Sequence, residues 1–112
     1  MKYMLLIRPE VNFDGEVPEE MVRATREWVR EMTERGVRRE GAALRPPEEA
    51  TGVGRRAGKV VTTDGPFAES KEQMGGYDLI ECRDLDEAIE IASKHPVAAV
   101  GMVEIRALVE DL

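Results

Sequence analysis

Four charged side chains fall close together in the stretch Thr62 to Gly76, which reads TTDGPFAESKEQMGG: Asp64, Glu69, Lys71 and Glu72. A carboxylate held at the end of a strand by a rigid turn can act as a general base or as a polar anchor for a small ligand. Lys71 then either attracts an anionic ligand or pairs with a neighbouring carboxylate. Asp64 has a second reading, because an aspartate before Gly65-Pro66 can accept from the backbone N–H groups ahead of it and shape its own turn. Gly65 tolerates torsions that other residues avoid, and Pro66 fixes its own φ and biases Gly65 away from the helical region. Phe67 follows as an aromatic pin for the loop, residues 68–73 are read as a short helical turn, and Gly75-Gly76 end it. A loop of this kind either seals a core or lines a pocket.

Beyond the loop, chemistry-bearing residues are sparse. Arg55 and Arg56 are candidates for an anionic ligand, although their distance from Asp64 depends on the register of a weakly patterned segment before them. His95 is the one imidazole, and its place in the last turn of a helix before Pro96 already accounts for it through the helix dipole. Asp64, Glu69, Glu72 and His95 lack metal-ligand spacing, so no metal site is expected. GxGxxG, GxxxxGK[ST], CxxC, HExxH and GxSxG are all missing from the sequence, and no cofactor is implied. A formal charge of -7 disfavours nucleic acid as a partner. The adjacent pairs Arg38-Arg39 and Arg55-Arg56 read as solvated surface, having no interleaved aromatics. Cys82 has no second cysteine to pair with and reads as core in a reducing, cytoplasmic setting. The apolar run Met4 to Ile7 is too short for a membrane span.

The elements that must position the loop follow from periodicity and breakers. Tyr3 to Arg8 reads as a central strand stopped by Pro9. Pro18 opens a helix whose stripe is Met21, Thr25, Trp28 and Met32, widened by Ala24 and Val29, with Gly36 as its C′ residue. Val37 to Leu44 is a weak strand, Glu48 to Arg56 a loop or short edge segment, and Lys59 to Thr63 a β-branched strand that delivers Asp64. Tyr77 to Cys82 is a strand, with Asp78 interrupting the Ile80 and Cys82 face. Asp84 and Glu87 form the capping residues of a second helix with a stripe of Leu85, Ala88, Ile89 and Ala92. Gly101 to Leu108 is the last strand.

The order is the βαββαβ plan of a ferredoxin-like α+β domain, with an added strand or hairpin before the loop, in a single domain over residues 1–112. Both helices must cover one face of the sheet. Val60, Ile80 and Val103 or their neighbours would make the other face apolar, so burial predicts a homodimer packed sheet to sheet.

The run DGPFAESKEQMGGYDLIE, Asp64 to Glu81, followed by DLDEAIEIA at Asp84 to Ala92, resembles the DGPF branch of the YCII-related proteins. MKYMLLI at the start, RPP at Arg45 to Pro47 and VEIRAL at Val103 to Leu108 are also similar to that family, so the resemblance spans nearly the whole chain. It implies a ferredoxin-like fold forming a dimeric α/β barrel. Asp64, Gly65, Pro66 and Phe67 match the motif residue for residue, with Lys71, Gly75 and Gly76 following it. Some relatives are enzymes acting on small, often acidic or aromatic-derived lactones and dienoates. The resemblance therefore implies a small-molecule pocket beside Asp64, Lys71 and Phe67, with possible lyase, isomerase or hydrolase chemistry. The alternative it implies is a non-enzymatic regulatory module, since some DGPF proteins are encoded beside extracytoplasmic-function sigma factors. In the YCII branch proper an early histidine and an aspartate are proposed to act together; this sequence has no histidine before His95. Asp78 stands where the branch often has a second aromatic.

Overall fold

A computed structural model of the chain describes residues 1–10, 17–65 and 74–112. Strand β1 spans Lys2–Pro9 and helix α1 Glu19–Glu34; β2 spans Arg38–Ala43, β3 Thr51–Arg56, β4 Lys59–Asp64 and β5 Gly76–Glu81; helix α2, Leu85–Ser93, and β6, Gly101–Ala107, follow. Two helices and six strands give the ferredoxin-like α+β arrangement. Four of the strands form one antiparallel layer in the order β2-β5-β1-β6, while β3 and β4 form a separate two-stranded ribbon, which is the added hairpin.

Local chemistry explains the helix ends. Pro18 sits at the N-cap of α1, one residue before the first helical position expected of it, with Glu19 and Glu20 in the positive first turn. At its other end the Gly36 N–H donates to Thr33 O and the Val37 N–H to Met32 O, the paired bonds of a Schellman stop. Asp84 caps α2 by accepting from the Glu87 N–H at 2.9 Å, and Glu87 reaches back to accept from the Arg83 N–H at 2.8 Å. The Glu87 bond reaches one residue beyond the N-cap, to Arg83 where the usual capping box would engage the Asp84 N–H.

Tyr3, Leu5 and Ile7 of β1 and Ile80 of β5 are buried under Trp28 and Met32 of α1 and Ala88, Ile91 and Ala92 of α2, with Val103 and Ile105 of β6 packed against them. Ile91, and not Leu85 or Ile89, completes the α2 stripe; the latter two are about half exposed. Ala88, Ile91 and Ala92 are the i, i+3, i+4 set that faces the sheet.

The closed dimeric α/β barrel is not formed, and the chain shows neither a closed barrel nor a dimer. Closure would require the edge strands to pair, but β2 and β6 remain opposite edges of an open layer and the ribbon forms its own ladder. The apolar residues of the open face are neighbours of Val60, Ile80 and Val103, such as Leu79, and not those three themselves. Ile80 and Val103 point to the helices, and Val60 stands exposed on the ribbon. The sheet face away from the helices carries Met4, Leu6, Tyr77 and Leu79, all half-buried. Ion pairs from Arg8 to Glu104 and from Arg39 to Glu81 flank these residues, so that face is less apolar than alternation alone suggested.

Candidate functional site

The ribbon places Asp64 at its foot. Asp64 pairs across from Thr51 at the end of β4, and the Gly65 N–H donates to Ala50 O at 2.7 Å, tying the start of the DGPF stretch to the segment that precedes β3. Gly65 takes φ +84°, a conformation that a side chain would strain. The Asp64 carboxylate is exposed and accepts no hydrogen bond from a described residue. Its expected turn cap, the Pro66 turn position, the Phe67 pin, the residue 68–73 helical turn and Lys71 all lie outside the described residues.

On the far side of the stretch, the Gly75 N–H donates to Ile7 O at 2.7 Å. A Cβ on Gly76 would sit 2.9 Å from Ala42 O, so the chain enters the sheet with its backbone close to β2. Between these anchors lies an open groove of about 370 Å³ lined by Leu44, Arg45, Pro46, Pro47, Glu49, Ala50 and Met74. Arg45 donates from Nε and Nη2 to both carboxylate oxygens of Glu49, at 3.1 and 3.0 Å, and places one neutralised guanidinium on an otherwise apolar wall. Arg55 and Arg56 are not near it. They pair with Val60 and Lys59 at the ribbon tip, about 13 Å or more along the strand from Asp64 at the usual rise per residue.

The buried polar chemistry of the described residues is elsewhere. Arg38 Nε donates to Asp78 Oδ1 at 2.8 Å, and the two side chains are 17% and 8% exposed, the most enclosed ion pair among the described residues. Burial pushes the Asp78 carboxyl above its ordinary value, while the Arg38 hydrogen bond and charge act in the opposite direction. Asp78 lies opposite Leu5 of β1 and Gly41 of β2. A Cβ on Gly41 would collide with Asp78 Oδ1 and would lie 2.6 Å from Arg38 Nη2, so the ion pair occupies the space that a side chain would need.

Arg38 is thus not solvated surface beside Arg39, as its sequence neighbourhood suggests, and Asp78 is its partner as well as an interruption of the strand face. The signal that could have joined them was a charge on the buried face of a strand, which requires a partner on a neighbouring strand, together with an arginine and a glycine on the one candidate edge.

His95 corrects a second expectation. It is not a charged cap on the helix dipole: it is 5% exposed, its Nδ1 accepts from the Val97 N–H at 3.0 Å, and burial pushes its pKa down to about 4. Its ring meets Trp28 edge-on with centroids 4.7 Å apart, while Trp28 Nε1 donates to Ile91 O at 3.0 Å. The imidazole thus starts the short 3₁₀ turn Pro96–Ala99 and fills the core. No group of three or more His, Cys, Asp or Glu suited to a metal occurs among the described residues. No helix among them is long and apolar enough to cross a membrane.

A small α+β domain of two helices, a four-stranded antiparallel layer and a two-stranded ribbon is the class that the fold defines. The model of the YCII-related domain matches residues 1–110, and the chain belongs to that family. It is 42% identical over 69 residues to an uncharacterized protein, R00369, of Rhizobium meliloti (strain 1021), a match covering 60% of this chain and 56% of that protein. The aligned part is thus only a little over half of the relative's length.

Proposed function

We propose that this YCII-related protein, in its DGPF branch, binds a small anionic organic molecule in the groove at the foot of the ribbon. The carrying observation is that the groove shares Ala50 with the anchor of Gly65, so an apolar wall of about 370 Å³ lies directly beside the start of the DGPF stretch. Asp64, with no hydrogen bond to a described residue, is available there as polar anchor or base, and Lys71 is the cation proposed to meet the ligand's charge. Phe67 supplies an aromatic contact in this reading. Arg55 and Arg56 would contribute only if the ribbon tip of another molecule approached.

The test is a thermal-shift screen of small carboxylic acids and lactones on the wild type, D64N and K71A. A compound that stabilises the wild type and loses that effect in D64N or K71A supports the site; stabilisation unchanged in both variants removes it. Incubating such a compound with protein and following it by NMR separates lyase, isomerase or hydrolase turnover from simple binding. Absence of any hit, with a sigma-factor-related protein recovered on co-purification and bound with measurable affinity, would favour the regulatory-module reading instead. A second copy of the chain is proposed as a partner on the strength of the half-buried Met4, Leu6, Tyr77 and Leu79 face. A monomer mass at micromolar concentration in sedimentation would exclude it.

A further inference from the structure

The Arg38 and Asp78 pair stands out because the fold gains little from it. A buried ion pair loses its hydration, and well-packed apolar residues of similar size often serve a core as well or better. Among the described residues the buried polar or charged residues are Asp78 and His95, and β2 keeps Gly41 bare where the pair sits. An interior glycine weakens a strand, so the arrangement carries two costs at one point.

The hydrogen-bond pattern shows what that point is suited to do. Arg35 meets Glu90 through both terminal nitrogens, while Arg39 and Arg45 each meet a carboxylate through Nε and Nη2. Arg38 differs: only its Nε is engaged, by Asp78 Oδ1, and its two terminal nitrogens make no hydrogen bond to the protein among the described residues. The guanidinium is therefore fixed from its side by a carboxylate, with its terminal fork uncommitted. That fork matches a carboxylate bidentately. Access comes along the sheet edge, because β2 is an outer strand and the Arg38 side chain retains 17% exposure. Gly41 lies three residues before Leu44, which lines the groove, a distance of about 10 Å at the usual rise per strand residue.

We infer that Arg38, oriented by Asp78, is a binding position for the carboxylate of a small organic acid. Arg38 contacts the ligand; Asp78 acts through Arg38 as a positioning residue. The inference rests on the reading that the protein takes a small acid, and it assigns the acid's carboxylate to a guanidinium in the sheet layer in place of the Lys71 ammonium.

The experiment titrates full-length protein, ¹⁵N-labelled at arginine, with sodium acetate at constant ionic strength, using sodium chloride as the matched control. R38K identifies the Arg38 Nε–H signal by its disappearance. In the wild type that signal is expected to shift saturably with acetate at about millimolar concentration and not with chloride. R38K, which keeps the charge and loses the fork, is expected to weaken acetate binding, followed by backbone amide shifts, at least about tenfold. D78N is expected to speed exchange of the Arg38 Nε–H with water and to erase the preference for acetate over chloride, with other arginine signals unmoved. An Arg38 signal indifferent to acetate, or responding equally to chloride, overturns the inference, as does unchanged acetate affinity in folded R38K. Should R38K fail to fold, the Arg38 Nε–H signal is assigned through its side-chain and backbone connectivities in ¹³C,¹⁵N-labelled wild type, so the wild-type titration still decides the question. A screened acid whose stabilisation is lost in D64N but kept in R38K would leave the ligand-binding reading standing and remove this one. A saturable acetate response at Arg38 with no screened compound depending on Asp64 or Lys71 would keep Arg38 as a carboxylate-binding position and remove the groove beside Asp64.

Discussion

Acidification should weaken this protein through a single imidazole, and the size of the effect follows from where His95 sits. In the unfolded chain His95 titrates near its ordinary value of 6.5, whereas in the folded protein burial holds it down to about 4. The sign follows from which state binds the proton first. Above pH 6.5 both states are neutral at His95 and the stability is undiminished. Between 6.5 and about 4 the unfolded chain takes up the proton and the folded chain does not, so stability falls as pH falls; below about 4 both are protonated and the loss levels off. Each pH unit of difference corresponds to about 1.4 kcal/mol, which gives a loss of roughly 3 kcal/mol, or nearer 2 once partial hydration of the site is allowed for. Carboxylates titrate in the same window, so the quantity to measure is a difference. H95N keeps a side-chain oxygen for the Val97 N–H but does not titrate. At pH 7 it should be less stable than the wild type, because the Trp28 ring loses its edge-on partner. Urea denaturation at intervals from pH 7 to pH 4 should then show the gap between the two proteins narrowing by about 2 to 3 kcal/mol. Parallel stability curves for wild type and H95N across that range would refute the argument, since a neutral core imidazole cannot then be what acid disrupts.

Three further outcomes are expected. G41A should lose about 2 to 4 kcal/mol in chemical denaturation, because a Cβ there collides with Asp78 and lies 2.7 Å from the Tyr77 carbonyl; a neutral G41A would mean the Arg38 and Asp78 pair is not held in place by that strand. D84A should cost about 1 kcal/mol through loss of the α2 N-cap, measured as a lower urea midpoint with unchanged slope, and D84N should recover most of it. Glu90 bridges Arg35 at the C-cap of α1 and Lys94 at the C-cap of α2, and the Arg35 hydrogen bond, aided by Lys94, holds its carboxyl down to about 2. Because these side chains are 30%, 43% and 52% exposed, E90Q should cost no more than about 1 kcal/mol, and the cost should shrink in 1 M salt as screening replaces the pair.

The sequence by itself determined the elements. Pro9, Pro18, Gly36, Asp84 and Pro96 act within a few residues of themselves, by fixing a torsion, removing a donor or capping an end, so the order of the main strands and helices was legible from them, whereas Glu48 to Arg56 read equally as a loop or an edge segment and only its pairing with β4 made it a hairpin. Trp28 and Met32 announced their burial by helical spacing, and Asp64 its place at a strand end. What the tertiary structure decided were the pairings between distant residues. Strand alternation assigns residues to two faces but not to the helix side or the open side, and for Ile80 and Val103 that choice came from the packing of α1 and α2. Whether the strands closed into a barrel depended on where β2 and β6 lay in the layer, which no local signal states. Arg38 could be joined to Asp78 only once β2 was set against β5 with Gly41 opposite the carboxylate. His95 could be recognised as a neutral core residue only once Trp28 and the turn at Val97 had closed around it, because burial, which sets its charge, is a property of the whole fold.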